Sequence, residues 1–341
     1  MTGGGWMRFA RRAGVSLLAW VAVHVAAASA EMIPVVVTSL DPRFDHLVPK
    51  DVQVERIAEG FSWVEGPVWH KEERALLFSD IPANAVYRWT ARDGVSLFLA
   101  RSGYRGAEPF PGKEPGSNGL AFDQAGRLVL CRHGDREVGR LEPDGRLATV
   151  AARYEGHRLN SPNDLVFDSN GNLFFTDPPF GLPGVFQDPG KAPVQGVFRL
   201  TPDGRLSRLV SDLVAPNGLA LSPDEKTLYV SDVDPRRAAW WAYDVQPDGS
   251  VANGRVLFDA ARWRRDPFFG PDGFKVDREG HIFGARPGGV SVIAPDGILL
   301  GTIETGRPTS NVAWGEDGRT LFLTSGDAVY RMRLTTAGAG Y

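Results

Sequence analysis

Six segments of the sequence begin with a side chain that can offer an oxygen atom to a metal ion. Each of these side chains precedes a short apolar run, and together they are Glu65, Asn118, Asn163, Asn217, Asp272 and Asn311. Carboxylate and carboxamide oxygens are the ligands that hard cations such as Ca²⁺ and Mg²⁺ prefer. If the six residues converge on one axis, the two carboxylates balance a divalent charge and the amides fill further positions. Histidine and cysteine are scarce near these positions, which argues against a typical zinc site.

The same residues have a plainer interpretation as turn formers. Pro216-Asn217-Gly218 and Pro271-Asp272-Gly273 are common turn tripeptides, because Asn and Asp tolerate left-handed backbone angles. Glu65, in the run Glu-Gly-Pro-Val-Trp, is not a habitual turn residue. A carboxylate at the buried head of a strand needs a partner, so the cation-site hypothesis depends on Glu65 and on the convergence of the six side chains.

The elements that position these residues are predicted to be β-hairpins. In the third segment, strand-forming residues at 165–167 and 173–176 flank the turn Asp168-Ser169-Asn170-Gly171. A second hairpin around an Asp-Gly turn, such as Asp144-Gly145, follows in five of the units. The six oxygen-bearing residues that begin the segments, here called the heads, lie 53, 45, 54, 55 and 39 residues apart. A period of about 40–50 residues with four strands is typical of a β-propeller blade.

The sequence therefore predicts an all-β fold, a six-bladed β-propeller with four-stranded antiparallel blades. The sixth unit ends after a third strand at 329–334, and an N-terminal strand at 52–57 supplies the missing one, which closes the ring. The propeller is expected to span residues 51–336, after a lead-in segment at 31–50. Because short turns share one face, the six heads and the long connections share the other, where we expect the binding site. Those connections are 101–117, 151–162, 176–195, 259–271 and 304–310.

The first thirty residues have the pattern of a secretory signal peptide. Three arginines precede an apolar run at 15–25, and Ala28-Ser29-Ala30 forms a small-residue cleavage site. We expect an exported protein, periplasmic or secreted, with an uncleaved anchor as the alternative and Sec or twin-arginine export both open. Without residues 1–30 the chain has 35 basic and 41 acidic residues and no basic stripe, so we expect no nucleic-acid partner. We also expect no membrane contact after cleavage, and a monomer or weak dimer.

Several motifs together resemble one known family. Glu65-Gly-Pro-Val-Trp, Ser161-Pro-Asn-Asp, Pro216-Asn-Gly-Leu and Pro271-Asp-Gly are similar to motifs of the SMP-30/gluconolactonase/luciferin-regenerating enzyme family. The segments at 77–82, 132–136 and 175–181 resemble its bacterial, exported gluconolactonase branch. The resemblance covers roughly residues 52–334, essentially the whole mature chain.

This resemblance implies a divalent metal ion at the top of the channel and hydrolysis of a lactone substrate. It implies Glu65, Asn163, Asn217 and Asp272 as metal ligands, with Asp272 also the catalytic acid and base. Ca²⁺ is the expected ion, and Zn²⁺, Mg²⁺ or Mn²⁺ are alternatives. The substrate-binding residues are predicted to be Asn118, Asn163 and His133. The animal members carry an arginine two residues before the equivalent of Asn163, whereas this chain has Ser161, so their sugar specificity does not transfer.

The chemistry of such a site can be argued from the reaction itself. A lactone needs its carbonyl polarised and a water molecule deprotonated, and a bound divalent ion assists both steps. One carboxylate can carry the proton from the water to the ring oxygen. No Gly-x-Ser-x-Gly motif occurs, which disfavours a serine hydrolase. Two alternatives remain: the same site acting on another ester or a phosphotriester, and a non-catalytic propeller in which Ca²⁺ plugs the channel and the loops bind a partner.

Overall fold

The computed structural model describes residues 31–183, 194–234, 236–263 and 269–340. Within them, six antiparallel sheets follow one another along the chain. The first sheet comprises Val64–His70, Ala75–Asp80, Ala85–Thr90 and Gly94–Ala100. The second comprises Ser117–Phe122, Leu128–Arg132, Glu137–Leu141 and Leu147–Ala151. The third comprises Leu165–Phe167, Leu173–Thr176, Val197–Leu200 and Leu206–Val210. The fourth comprises Pro216–Leu221, Thr227–Asp232, Ala239–Val245 and Val251–Asp259, and the fifth begins with Phe274–Val276, Ile282–Arg286, Gly289–Ile293 and Leu299–Glu304. The sixth contains Thr309–Gly315, Thr320–Ser325 and Ala328–Arg333.

These sheets close into a ring. The first strand of each sheet contacts the first strands of the two neighbouring sheets, and the sixth contacts the first. The sixth sheet is completed by Val54–Glu59, which pairs antiparallel with Ala328–Arg333. The predicted six-bladed propeller, closed by an N-terminal strand, is therefore confirmed, although that strand begins two residues later than expected.

The segment 31–50 contributes structure that its sequence did not predict. Glu31–Ile33 pairs with Val54–Glu59, and Val36–Ser39 pairs with Leu299–Glu304, so the fifth and sixth blades each gain a fifth strand. A short helix follows at Phe44–Leu47, and both of its apolar ends are buried in the core between these two blades. The lead-in segment thus covers sheet edges that would otherwise be exposed.

The remaining short elements lie in the connections. Arg153–Tyr154 and His157–Arg158 form a two-stranded ribbon, and Ala261–Trp263 is a single turn of 3-10 helix. Residues 1–30, predicted to be a signal peptide, lie outside the described residues. In the part of the chain that the structure describes, no helix has the length and apolar character needed to cross a membrane.

Close packing of the inner strands narrows the central channel. A Cβ atom on Gly66 would lie 2.0 Å from the carbonyl oxygen of Asn118, and one on Gly273 would lie 2.0 Å from Cγ of Asn311. Only glycine allows the strand heads to approach so closely. The residues that precede these glycines are therefore brought near the axis, as a site of converging oxygens requires.

Candidate active site

Five of the six predicted heads line one cavity on the loop face. This cavity has a volume of about 290 Å³, and its lining comprises Trp63, Glu65, Ile81, Glu114, Asn118, Asn163, Phe180, Asn217, Phe269 and Asp272. The two carboxylates at positions 65 and 272 therefore face a common space. Trp63 and Phe269 form part of its wall, with ring centroids 6.1 Å apart.

The sixth head, Asn311, lies deeper than the sequence predicts. The amide of Gly119 donates to the carbonyl oxygen of Asn163, and the amide of Gly273 donates in the same way to Ser310. Ser310 thus holds in the sixth blade the position of Asn163 in the third. Asn311 follows one residue later and is not among the described residues that line the cavity. The ring at the mouth has five oxygen-bearing heads rather than six.

Asn311 instead belongs to a second layer beneath the cavity. Its Oδ1 accepts from the amide of Val312 at 2.9 Å, which turns Nδ2 toward two carboxylates. That Nδ2 lies 3.4 Å from Oε2 of Glu65 and 3.5 Å from Oδ2 of Asp164. Lys275 Nζ lies 3.7 Å from the same Asp164 oxygen. One amide therefore holds Glu65 in place, and one ammonium group offsets the charge of Asp164.

Asp164 is a site residue that the sequence reasoning missed. Four of the heads are followed directly by glycine, in Glu65-Gly66, Asn118-Gly119, Asn217-Gly218 and Asp272-Gly273. In the third blade Asp164 takes that place, and it is buried with Oδ1 accepting from the amide of Leu165 at 2.9 Å. A side chain where the repeat otherwise has glycine was the signal that could have revealed it.

Hydroxyl groups of one blade hold the backbone of the head residue in the next blade. Ser79, Thr176 and Ser231 stand near the ends of the second strands of blades one, three and four. Their hydroxyls donate to the carbonyl oxygens of Asn118, Asn217 and Asp272 at 2.8, 2.6 and 2.8 Å. Each of these blades thereby positions the site residue of the next blade along the chain.

The acidic residues that follow these hydroxyls are structural. Asp80 accepts from the backbone amides of Ser62 and Trp63, Asp177 from that of Asn160, and Asp232 from that of Ala215. Each carboxylate thus holds the loop that enters its blade. Burial raises the pKa of Asp177 to about 8 and that of Asp232 to about 6.

The ionised forms of two carboxylates in the cavity, Glu65 and Asp272, are disfavoured by their surroundings. Glu65 is only 5 % exposed, and burial, with a further contribution from the negative charge of Asp164, raises its pKa to about 8. Burial, followed by the charge of Glu65, raises the pKa of Asp272 well above its ordinary value. Hydrogen bonds from the amides of Gly66 and Gly273 offset this only in part.

The same cavity contains a buried side-chain oxygen that is available to a ligand. Oδ1 of Asn118 is buried and has no hydrogen-bond partner within the described chain. Buried acceptors are rarely left unpaired, so this atom needs a ligand or a water molecule. In the described ranges no group of three or more His, Cys, Asp or Glu side chains could hold a metal ion alone. Two carboxylates supplemented by amide oxygens fit a hard divalent cation, and they fit zinc poorly.

His133 lies behind the cavity wall. Its side chain is 0 % exposed, and its Nδ1 lies 2.9 Å from Oε2 of Glu114. Glu114, on the loop 101–117, lines the cavity, whereas His133 is not among the described lining residues. Any influence of His133 on a substrate in the cavity is therefore exerted through Glu114, a residue that sequence reasoning did not single out because the loop follows no repeat.

Comparison with known proteins agrees with this architecture. Residues 63–327 match the family described as SMP-30/Gluconolactonase/LRE-like region. The chain belongs to this family. A gluconolactonase from Zymomonas mobilis subsp. mobilis is 41 % identical over 311 residues, covering 89 % of this chain and 87 % of the relative. An L-arabinolactonase from Azospirillum brasilense is 36 % identical and covers 76 % of this chain and 80 % of the relative.

The solved structures of the family include close neighbours of this fold. A gluconolactonase from Xanthomonas campestris is 33 % identical and superposes with a TM-score of 0.79. The match covers 92 % of this chain and 99 % of that one. The family resemblance predicted from the motifs is thus confirmed.

Ser161 stands where the animal members of the family carry an arginine. It is buried, its hydroxyl donates to the carbonyl oxygen of Pro178 at 2.6 Å, and it accepts from the amide of Gly181 at 2.9 Å. It shapes the loop after the third blade's hairpin.

Proposed function

We propose that this protein is a divalent-metal-dependent hydrolase of sugar lactones. The observation that carries the proposal is the pair of carboxylates, Glu65 and Asp272, that share one cavity with three asparagine side chains. The names of its relatives, gluconolactonase and L-arabinolactonase, support lactones of sugars as the substrate class. The relatives named gluconolactonase and L-arabinolactonase favour an enzyme over a non-catalytic propeller in which Ca²⁺ plugs the channel.

Glu65, Asn163, Asn217 and Asp272 are the residues that would hold the metal ion, with Ca²⁺ expected. The ion, when bound, supplies a Lewis acid for the lactone carbonyl and lowers the pKa of a nearby water molecule. Glu65 is suited to the role of anchor, because it is deeply buried and its Oε2 is held by the amide of Gly66 and by Asn311. A carboxylate held in this way would serve as a fixed ligand of the ion.

Asp272 is suited to proton transfer. Its side chain is partly exposed to the cavity, and it accepts hydrogen bonds from the Gly273 amide and the Asn217 side chain. In hydrolysis, the water oxygen forms a bond to the carbonyl carbon and the bond from that carbon to the ring oxygen breaks. Asp272 takes the proton from the water and returns it to the ring oxygen, which gives the open hydroxy acid.

The other lining residues bind and orient the sugar ring. Asn118 and Asn163 offer amide groups to substrate hydroxyls. Trp63, Phe180 and Phe269 provide apolar surface against which the C–H faces of the ring can pack, and they reduce the access of bulk water. His133, predicted as a substrate contact, acts in this proposal through Glu114.

The test is hydrolysis of D-glucono-δ-lactone, followed by acid release at constant pH. Protein treated with EDTA should be inactive and should recover with Ca²⁺, with Mg²⁺, Mn²⁺ and Zn²⁺ as comparison ions. Asp272→Asn should bind the ion within about tenfold of the wild-type affinity and lose at least a hundredfold in kcat. Full activity after complete metal removal would refute the metal dependence, and turnover of a phosphotriester but no lactone would favour the alternative substrate class.

We also infer that the protein is exported. The support is the signal-peptide pattern at residues 1–30. Protein recovered from the periplasm or medium should begin at Glu31 by N-terminal sequencing. A full-length chain retained in the membrane fraction would show that the segment is an uncleaved anchor.

A further inference from the structure

We propose that Glu114 is a substrate-binding residue and that it selects neutral, hydroxyl-rich lactones over lactones that carry a negative charge. This inference rests on the proposed lactonase function and concerns the same cavity. Glu114 is the one carboxylate of the described lining that comes from a long loop rather than from the head of an inner strand. Its side chain is 31 % exposed, so it is accessible from the cavity mouth.

The orientation of this carboxylate is fixed from behind. Oε2 of Glu114 accepts from Nδ1 of the fully buried His133 at 2.9 Å. Among the described residues no hydrogen bond reaches Oε1 of Glu114, which leaves that oxygen for a ligand. Nε2 of His133 is buried and has no partner in the described chain, so the ring has Glu114 as its sole polar contact there. His133 is therefore a positioning residue.

The loop that carries Glu114 is anchored at both ends. The guanidinium group of the fully buried Arg132 donates to the carbonyl oxygens of Ser102 and Gly103, each at 2.8 Å. At the other end, the amide of Gly116 donates to the carbonyl oxygen of Ile81 at 2.9 Å. A carboxylate on an anchored loop is held in place before the substrate arrives, which lowers the entropy lost on binding.

The chemistry of the lining decides which substrates this arrangement favours. In the described part of the cavity wall there are three carboxylates, three amides and four apolar side chains, and no Lys, Arg or His. Because Glu65 and Asp272 are assigned to the divalent ion, Glu114 is the one carboxylate of the described lining left to face the substrate. A carboxylate accepts strong hydrogen bonds from sugar hydroxyls and repels phosphate or carboxylate groups. The loss of one charge-assisted hydrogen bond lowers the affinity for the substrate by about tenfold to a hundredfold.

The experiment compares kcat/KM for D-glucono-δ-lactone with that for the same lactone carrying a phosphate at C6. Glu114→Gln should lower kcat/KM for the neutral lactone about tenfold, mainly through a higher KM. The ratio of kcat/KM for the phosphorylated lactone to kcat/KM for the neutral lactone should therefore rise. Glu108→Gln, on the same loop but exposed and outside the described lining, is the matched control and should change neither value. His133→Phe should raise KM with little change in kcat, and His133→Gln, which keeps a side-chain donor, should recover part of the loss.

Calorimetric titration with Ca²⁺ separates this inference from the proposed function. Glu114→Gln should bind Ca²⁺ as the wild type does, because Glu114 is not assigned as a ligand. Loss of Ca²⁺ binding in that variant would overturn the inference by making Glu114 a ligand. An active, metal-dependent wild type whose Glu114→Gln variant keeps the same substrate ratio would overturn it as well. A wild type inactive on every lactone would instead refute the proposed function.

Discussion

Glu65 makes the stability of the metal-free protein depend on pH. Its pKa is about 8 in the folded protein, against an ordinary value of 4.5. The folded state therefore binds this proton more tightly than the unfolded chain does. The contribution of Glu65 to stability is fully present below pH 4.5 and is lost as the pH rises through 8.

The magnitude follows from the size of the shift. Each unit between the two pKa values corresponds to about 1.4 kcal/mol of unfolding free energy, so the loss between pH 4.5 and 8 is on the order of 5 kcal/mol. Asp177 and Asp232, whose pKa values are raised to about 8 and about 6, add losses with the same sign. Measuring the wild type alone would not separate these contributions.

The comparison that removes the charge of Glu65, together with its effect on the pKa of Asp272, uses Glu65→Gln, which keeps the shape of the side chain and cannot ionise. Both proteins are unfolded with urea in EDTA at pH 5, 6.5 and 8. The variant should match the wild type near pH 5 and become progressively more stable toward pH 8. Added Ca²⁺ should stabilise the wild type most at pH 8, because binding requires the ionised carboxylate, and should stabilise the variant much less. Parallel stability curves for the two metal-free proteins would refute the reasoning.

Two further predictions concern packing. Gly273→Ala would place a Cβ 2.0 Å from Cγ of Asn311, so it should cost about 1–3 kcal/mol and weaken Ca²⁺ binding in calorimetry. Gly270→Ala, whose Cβ would meet nothing closer than 3.7 Å, is its control, and equal Ca²⁺ affinity in the two variants would contradict the assigned role of Asn311. Phe44→Ala should cost about 3–5 kcal/mol in urea unfolding, because this side chain is 1 % exposed, whereas Met32→Ala, at 57 % exposure, should cost little. An equally small loss in both would show that the lead-in helix contributes no core packing.

The elements that repeat were predictable, and those that do not repeat were harder to predict. The heads at Glu65, Asn118 and Asn217 were recognisable because each is followed by glycine and a short apolar run at a regular interval. The strands at 31–33 and 36–39 were not recognisable in the sequence. The first pairs with a strand that itself closes the sixth blade, and the second pairs with a strand far away in the sequence. Local pattern carries little information about pairing across such separations.

The error at Asn311 is a one-residue error in the alignment of the sixth blade with the others. The pairing register of the first and second strands shifts at the heads of blades one, two, four and six. Because the shift is common to blades whose heads line the cavity, it does not set Asn311 apart. A sequence pattern places Asn311 by analogy with Asn217, whereas the backbone hydrogen bond from Gly273 to Ser310 places it one step deeper.

Departures from the repeat therefore carry more information about the site than the repeat itself. A ring of identical blades would present identical side chains at each level of the channel. Here, the level beneath the cavity has glycine in four blades but Asp164 and Asn311 in the third and sixth. Their contact across the channel, with Lys275 beside Asp164, fixes Glu65 on one side while Asp272 keeps access to the cavity. This asymmetry supports different tasks for the two carboxylates, one as an anchor for the ion and one for the proton.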